Sequence, residues 1–313
     1  MIATALSFLG RHASVALAIG VLAGLIFPAL ANWARPLLLP SVVCLLTASL
    51  VRLDWGALGR YVKGPSLPLL LNLWLLIATP TFCWVALKFV QLPETLEIAL
   101  VLAAGAPSIV TAVALTQLFK LDSPLSVASL VIGVFFTPLG LAYSFFFLLD
   151  LPYLLSLGEF AVRFLVFIVL PFILAHFIRR SLGPTNLEKL WDPLGGITVL
   201  FIIIFGVTVM DGVTERFLAD PKTLIIYTFA AFVLSIISHL FGYWIFLWKG
   251  RQFALTTALL SGYRNMAVIY ALVGDQFGQD FFLYLSVHQF PIYLMPLMTE
   301  WIFRRMLKSE QQQ

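Results

Sequence analysis

Two short polar stretches interrupt long apolar runs, and they hold the residues best placed to do chemistry. Gly105-Ala106-Pro107-Ser108 lies midway along an apolar run over about 95–119, and Ser261-Gly262-Tyr263-Arg264-Asn265 lies midway along one over about 252–274. Pro107 has no N–H and pushes Ala106 out of the helical region. In a bilayer, a backbone freed in this way must find partners, and a bound ion or substrate can supply them. The half-helices that restart beyond each break point a partial positive charge at it. Gly105, Pro107 and Gly262 are the expected helix breaks. Pro107, Ser108 and Thr111 from the first stretch, with Gly262, Tyr263, Arg264 and Asn265 from the second, are candidates for binding substrate or an ion.

Arg264 is the most unusual of these. A guanidinium inside an apolar run costs several kcal/mol, of order 3 or more, unless it is paired or wetted. No run offers an Asp or Glu near its centre. Glu300 sits at the end of the last run, with Arg304 at i+4. Two roles remain open for Arg264: a fixed cation that meets an anionic substrate, or a brace bonded to the carbonyls of the opposite break.

Other polar residues share helix faces. Ser126, Ser129, Gly133 and Thr137 follow one another at spacings of 3, 4 and 4, and Thr228, Ser235, Ser238, His239 and Gly242 form a second stripe. Stripes of small residues mean close packing of helices in a membrane, but Ser126 and Ser129 are also within the candidate binding set. So are His288 and Gln289, which precede Pro291. His239 and His288 read as hydrogen-bonded structure before they read as proton carriers.

The chain that positions these residues has 313 of them, 61% apolar and 11% charged, with two cysteines; its mean hydropathy is +1.00. Average soluble domains carry about 25% charge. This composition cannot clothe a soluble surface, and it excludes disorder and a secreted disulfide scaffold. Cys44 and Cys83 read as small hydrophobes. Ten apolar runs are long enough to span a bilayer: about 13–31, 36–51, 66–88, 95–119, 123–148, 155–178, 194–210, 222–247, 252–274 and 280–303. The expected class is therefore an all-α integral membrane protein with ten transmembrane helices, forming one membrane domain over 1–313. Pro124 is placed to open the fifth helix.

With the N-terminus inside, thirteen Lys and Arg fall in cytoplasmic segments. Only Arg35, Lys88, Arg216 and Lys222 fall outside; Arg163 and Arg264 lie within spans. Both termini are thus expected in the cytoplasm. The net charge of +4 then follows from topology, and no nucleic-acid partner is expected. Arg11, the apolar run after it and Ala29-Leu30-Ala31 resemble a signal peptide, but the run is long for one and is expected to stay as the first span. With no organellar leader in view, a bacterial inner membrane is the expected location.

Ten spans divide into five and five, and an odd number per half inverts one half against the other. Gly105 and Gly262 are 157 positions apart, and Pro138 and Pro296 are 158 apart. The expected repeats run over about 13–148 and 155–303, with broken helices four and nine crossing at the centre. Matched breaks in two halves are the best sequence pointer to a transporter site. Enzyme chemistry is not expected: there is no paired-Asp motif, no H-E-x-x-H and no Gly-x-Ser-x-Gly. No metal site or cofactor is expected either.

These stretches resemble the bile acid:sodium symporter superfamily. Leu53–Pro80, Gly105–Pro138 and Gly262–Leu272 carry the likeness. Ser261-Gly262-Tyr263-Arg264-Asn265 is similar to the family's ninth-span crossover, of the form Gly-x-Gln-Asn, and Ser238-His239-Leu240-Phe241-Gly242-Tyr243 to its eighth-span pattern. The resemblance implies a core of spans three to five and eight to ten, a panel of spans one, two, six and seven, and uptake of small organic anions, usually with sodium. The chain departs from the family where sodium is held. The Ser-Asn pair after the fourth-span break falls on Ala112 and Val113, the third-span Gln on Leu75, the ninth-span Glu on Leu260 and the Gln on Arg264. Hard cations need oxygen ligands, so sodium-independent transport of a small organic anion is the leading expectation. The alternatives are a sodium symporter with unrecognised ligands, a carrier like the auxin efflux family, and a membrane receptor that transports nothing.

Overall fold

The computed structural model describes residues 6, 9, 13–62, 64–151 and 156–308. Among them the chain is all-helical and has no strand. Six helices are long and apolar enough to cross a bilayer: Pro28–Val51, Ser66–Leu87, Ser123–Leu148, Leu157–Lys189, Trp191–Ala219 and Pro221–Lys249. At about 1.5 Å per residue each reaches the roughly 30 Å of a hydrocarbon core. Of the most apolar window of Leu157–Lys189, only 17% is buried, so its surface needs an apolar solvent. These helices are consistent with an integral membrane protein.

Several expected boundaries move for local reasons. The first helix, Ala13–Ile26, stops five residues before its expected end. Phe27 precedes a proline and leaves the helical region at φ −118°, ψ 75°, and Pro28 opens the next helix. The helix through the sixth run continues past 178 to Lys189, turning at Gly183 with φ 70°. The last run divides into Gly278–Val287 and Gln289–Lys308 around His288. Pro124 does sit in the first turn of Ser123–Tyr143, whose cap is the Asp122 carboxylate accepting from the Leu125 N–H at 3.0 Å.

The chain divides into two compact units. One comprises the described residues of Met1–Leu53, Leu155–Ile225 and Tyr270–Gln276; the other comprises those of Asp54–Leu154, Ile226–Ile269 and Phe277–Gln313. In the first, Ala13–Ile26 packs on Trp191–Thr208 through Gly20 and Gly24. A Cβ at Gly24 would stand 2.8 Å from the Val207 carbonyl, so only glycine allows this approach. Arg179 bonds the Val51 and Leu53 carbonyls at the end of Leu38–Val51, where a cation also offsets the helix dipole.

The second unit contains both polar stretches. Its core includes Leu71, Leu75, Leu125, Leu255, Leu259 and Leu260. The helix Ser66–Leu73 continues through a π turn, Trp74–Ala78, into Thr79–Leu87.

Candidate functional site

Both polar stretches break their helices. The first helix, Glu94–Ala104, is capped by Gly105, whose N–H reaches the Val101 carbonyl at 3.0 Å, and helix resumes at Val110–Leu118. The second, Arg251–Gly262, gives way to Tyr263 at φ −103°, ψ 99°, and resumes at Met266–Val273. Asn265 caps the restart by accepting from the Val268 N–H at 3.3 Å.

The two extended stretches then pair antiparallel, Ser108 opposite Arg264. The Asn265 N–H donates to the Pro107 carbonyl at 2.8 Å, and the Ile109 N–H donates to the Tyr263 carbonyl at 3.1 Å. The Ser108 hydroxyl lies 3.4 Å from that same carbonyl. Backbone groups freed by one break are thus satisfied by the other, which is what a dry surrounding demands.

Arg264 fills the space behind this pairing and is 1% exposed. Its Nε donates to the Ser261 carbonyl at 2.6 Å. One terminal nitrogen donates to the carbonyls of Ala106 at 2.9 Å and Leu75 at 3.2 Å, and the other to the Thr79 hydroxyl at 3.0 Å. Four of its five N–H donors therefore meet protein oxygens. Among the described residues no carboxylate pairs with it.

The Leu75 carbonyl is available for a reason written in the sequence. The Thr79 N–H bonds back five residues to Trp74 across the π turn. The next bond in that series would run from residue 80 to Leu75, and residue 80 is a proline. Thr79 lies 2.7 Å from the Leu75 and Ala104 carbonyls, so its one proton serves one of these while its oxygen accepts from Arg264. Leu75, Thr79 and Ala106 belong to this cluster, and sequence reasoning did not assign them a role. The available signal was Thr79-Pro80, a donor missing from the middle of an apolar run.

A ring closes the other side of the second break. The Ser235 hydroxyl donates to the Gly262 carbonyl at 3.1 Å, His239 bonds the Ser235 carbonyl at 2.8 Å, and the His239 ring stands edge-on to Tyr263 at 4.8 Å. A Cβ at Gly262 would fall on the His239 ring. Gly262 is needed for this close approach, and the space beside it is filled by histidine. The Trp74 indole N–H reaches the Ser261 hydroxyl at 2.9 Å.

The remaining candidates are spread more widely. Thr111 is half-buried in the first turn of Val110–Leu118. Ser126 donates to the Asp122 carbonyl at 3.0 Å, in the first turn of its own helix. The Asp122 carboxylate accepts from Tyr61 at 2.9 Å, and its N–H reaches Thr256 at 3.3 Å. The buried Ser129 hydroxyl has no hydrogen-bond partner among the described residues, and neither does the Asn72 side-chain oxygen. Asn72 faces Gly133 closely: a Cβ there would lie 2.5 Å from that oxygen and 3.5 Å from Pro107. His288 stacks at a tilt on Tyr284, centroids 5.5 Å apart, and Gln289 bonds the Leu285 carbonyl at 3.1 Å; both are engaged within their own segment. The Glu300 and Arg304 side chains lie outside the described residues.

Among the described residues, no group of three or more His, Cys, Asp or Glu could hold a metal ion. Comparison with protein-family models and with curated proteins finds no match to this chain.

Proposed function

We propose that the chain is a secondary transporter of a small organic anion, working by alternating access, similar in plan to the bile acid:sodium symporters but independent of sodium. In this reading ten helices form two inverted five-helix repeats, both termini are cytoplasmic, and the bilayer is a bacterial inner membrane.

The observation that carries the proposal is the pairing of the two breaks around Arg264. Matched interruptions bring positive half-helix ends to one place, which suits a carboxylate. The division into units supports it as well: the first, second, sixth and seventh runs fall in one, and the third to fifth, the tenth and most of the eighth and ninth in the other, the ninth crossing to the first unit at Tyr270. That is the panel and core the resemblance implies.

Arg264 supports the sodium-independence. Three carbonyls and one hydroxyl converge on its guanidinium, an oxygen set of the kind a hard cation requires. The cation here is covalently attached. Its donors are engaged by the protein, so a ligand at the break meets its charge more than its N–H groups. Thr111, half-buried at the start of Val110–Leu118, offers a hydroxyl at that positive helix end.

The test is uptake of labelled organic anions by proteoliposomes, with sodium replaced by choline at fixed pH. Saturable uptake that survives the replacement is expected. A large loss of flux would mean that backbone oxygens and other side chains build a sodium site after all. No saturable uptake of any anion would remove the transport reading itself.

A further inference from the structure

The first compact unit contains a cavity of about 360 Å³, lined by Asn32, Arg35, Pro36, Leu38, Leu39 and Tyr270. It shares no residue with the paired breaks. Its size falls in the range of small-ligand pockets, roughly 300–1,000 Å³.

The lining is divided by chemistry. Pro36, Leu38 and Leu39 are apolar. Asn32, Arg35 and Tyr270 supply an amide, a guanidinium and a phenol. Arg35 is anchored: one terminal nitrogen donates to Asp211 at 2.6 Å, across 176 positions of sequence. The Asp211 side chain is 7% exposed while that of Arg35 is 44% exposed. The buried carboxylate therefore fixes the guanidinium at the cavity and leaves much of it accessible. A planar fork held in place is the preferred partner for a carboxylate.

We propose that this cavity is a second binding site, specific for a short-chain monocarboxylate, with the carboxylate at Arg35 and Asn32 and the alkyl chain on Pro36, Leu38 and Leu39. The single negative charge follows from the lining: away from Arg35 and Asn32 the cavity offers Pro36, Leu38 and Leu39, where a second carboxylate would lose its hydration without a partner. Under the proposed topology Arg35 and Asp211 both lie on the outer side, and the site would meet anions before they reach the breaks. That placement rests on the proposed function; the binding itself does not.

The experiment is calorimetric titration of hexanoate into the purified full chain in nanodiscs of neutral lipid, with no gradient present. One saturable site is expected. Its affinity should fall at least tenfold in Arg35→Gln. It should fall as far in Leu39→Trp, which fills the cavity and leaves the Arg35–Asp211 pair in place. Asn32→Leu should weaken it several-fold, and succinate should compete less well than hexanoate. No saturable binding to the wild type, or binding in Arg35→Gln or Leu39→Trp as tight as in the wild type, would overturn the site. Succinate binding as tightly as hexanoate would overturn its monoanion specificity. Because no flux is read, hexanoate binding beside absent or sodium-dependent transport would count against the central reading and leave this one standing.

Discussion

Replacing Arg264 by alanine should destabilise the protein without removing it from the membrane. The size of the effect follows from the acceptors left behind. The Leu75 carbonyl keeps the Thr79 hydroxyl 2.7 Å away, and Thr79 retains carbonyls to donate to. The Ala106 and Ser261 carbonyls lose the donor found at 2.9 and 2.6 Å. Each buried acceptor left unmet costs about 1–3 kcal/mol, so the two together cost about 2–6 kcal/mol. Release of the guanidinium from its own costly burial offsets part of this, and a net loss of about 1–4 kcal/mol remains. For a chain of 313 residues that lowers Tm by on the order of 2–6 °C. Thermal unfolding of the purified protein in nanodiscs measures it. Arg264→Lys should recover only part, since one ammonium cannot reach four acceptors in a plane. Millimolar guanidinium, and to a smaller degree sodium, should raise the Tm of Arg264→Ala but not of the wild type, because each can enter the vacated oxygen set. A variant that melts with the wild type, and that neither cation shifts, would refute the reasoning.

Gly262→Ala should destabilise by about 1–3 kcal/mol through collision with His239, and adding His239→Ala should restore much of that; if the double variant is worse than either single one, the collision is not the cause. Thr79→Val strands one Arg264 N–H and should cost about 1–2 kcal/mol in the same unfolding assay. Asp220, between two spanning helices, accepts from the Thr223 side chain and N–H, which holds its carboxyl below the ordinary range. A depressed folded value means stability present at neutral pH and lost as pH falls through it, so Asp220→Asn should flatten the acid side of the Tm–pH profile near and below pH ~4. A cysteine introduced at Gln311, outside the described residues, should resist impermeant reagents in intact cells; ready labelling would reverse the proposed topology.

The helices were legible because apolar runs and prolines act locally. Pro107 and Pro28 each break or open a helix by lacking an N–H and by restricting the residue before, and no knowledge of neighbours is needed to see it. The shift of the first boundary from 31 to Ile26 was readable in principle from Phe27-Pro28, but a hydropathy pattern that continues unbroken through Pro28 conceals it. The partners of Arg264 were not legible. Leu75 and Ala106 contribute backbone carbonyls, and side-chain identity says nothing about which carbonyl is free. Only the π turn, combined with Pro80, frees the one at Leu75, and π turns leave little trace in sequence. His239 read as a polar stripe residue because its role depends on Gly262, 23 positions away in sequence and in contact through space.

A cation supplied by the chain has a thermodynamic consequence that one supplied by solution does not. An ion shifts a conformational equilibrium only by its differential affinity for the two states, and only to the extent that its concentration can vary. A dissociable cation holding two helix breaks together therefore transmits its gradient to whatever motion makes or unmakes its site. Arg264 has no gradient. Its four bonds join Leu75 and Thr79 on one segment, Ala106 at the first break and Ser261 at the second, and they are present at any salt concentration. The paired breaks then behave as one permanent element, and changes of state must occur elsewhere. If the chain carries anions without a coupled ion, net flux follows the sum of the anion's own gradient and the membrane potential acting on its charge. With the interior negative, that potential opposes uptake of a lone anion and favours its exit, by about 2.3 kcal/mol per charge per 100 mV. A sodium-independent carrier of this design should therefore run more readily outward than inward when a potential is imposed. Flux in proteoliposomes clamped by potassium and valinomycin reads this directly, and equal rates in both directions under an interior-negative potential would argue for a compensating proton.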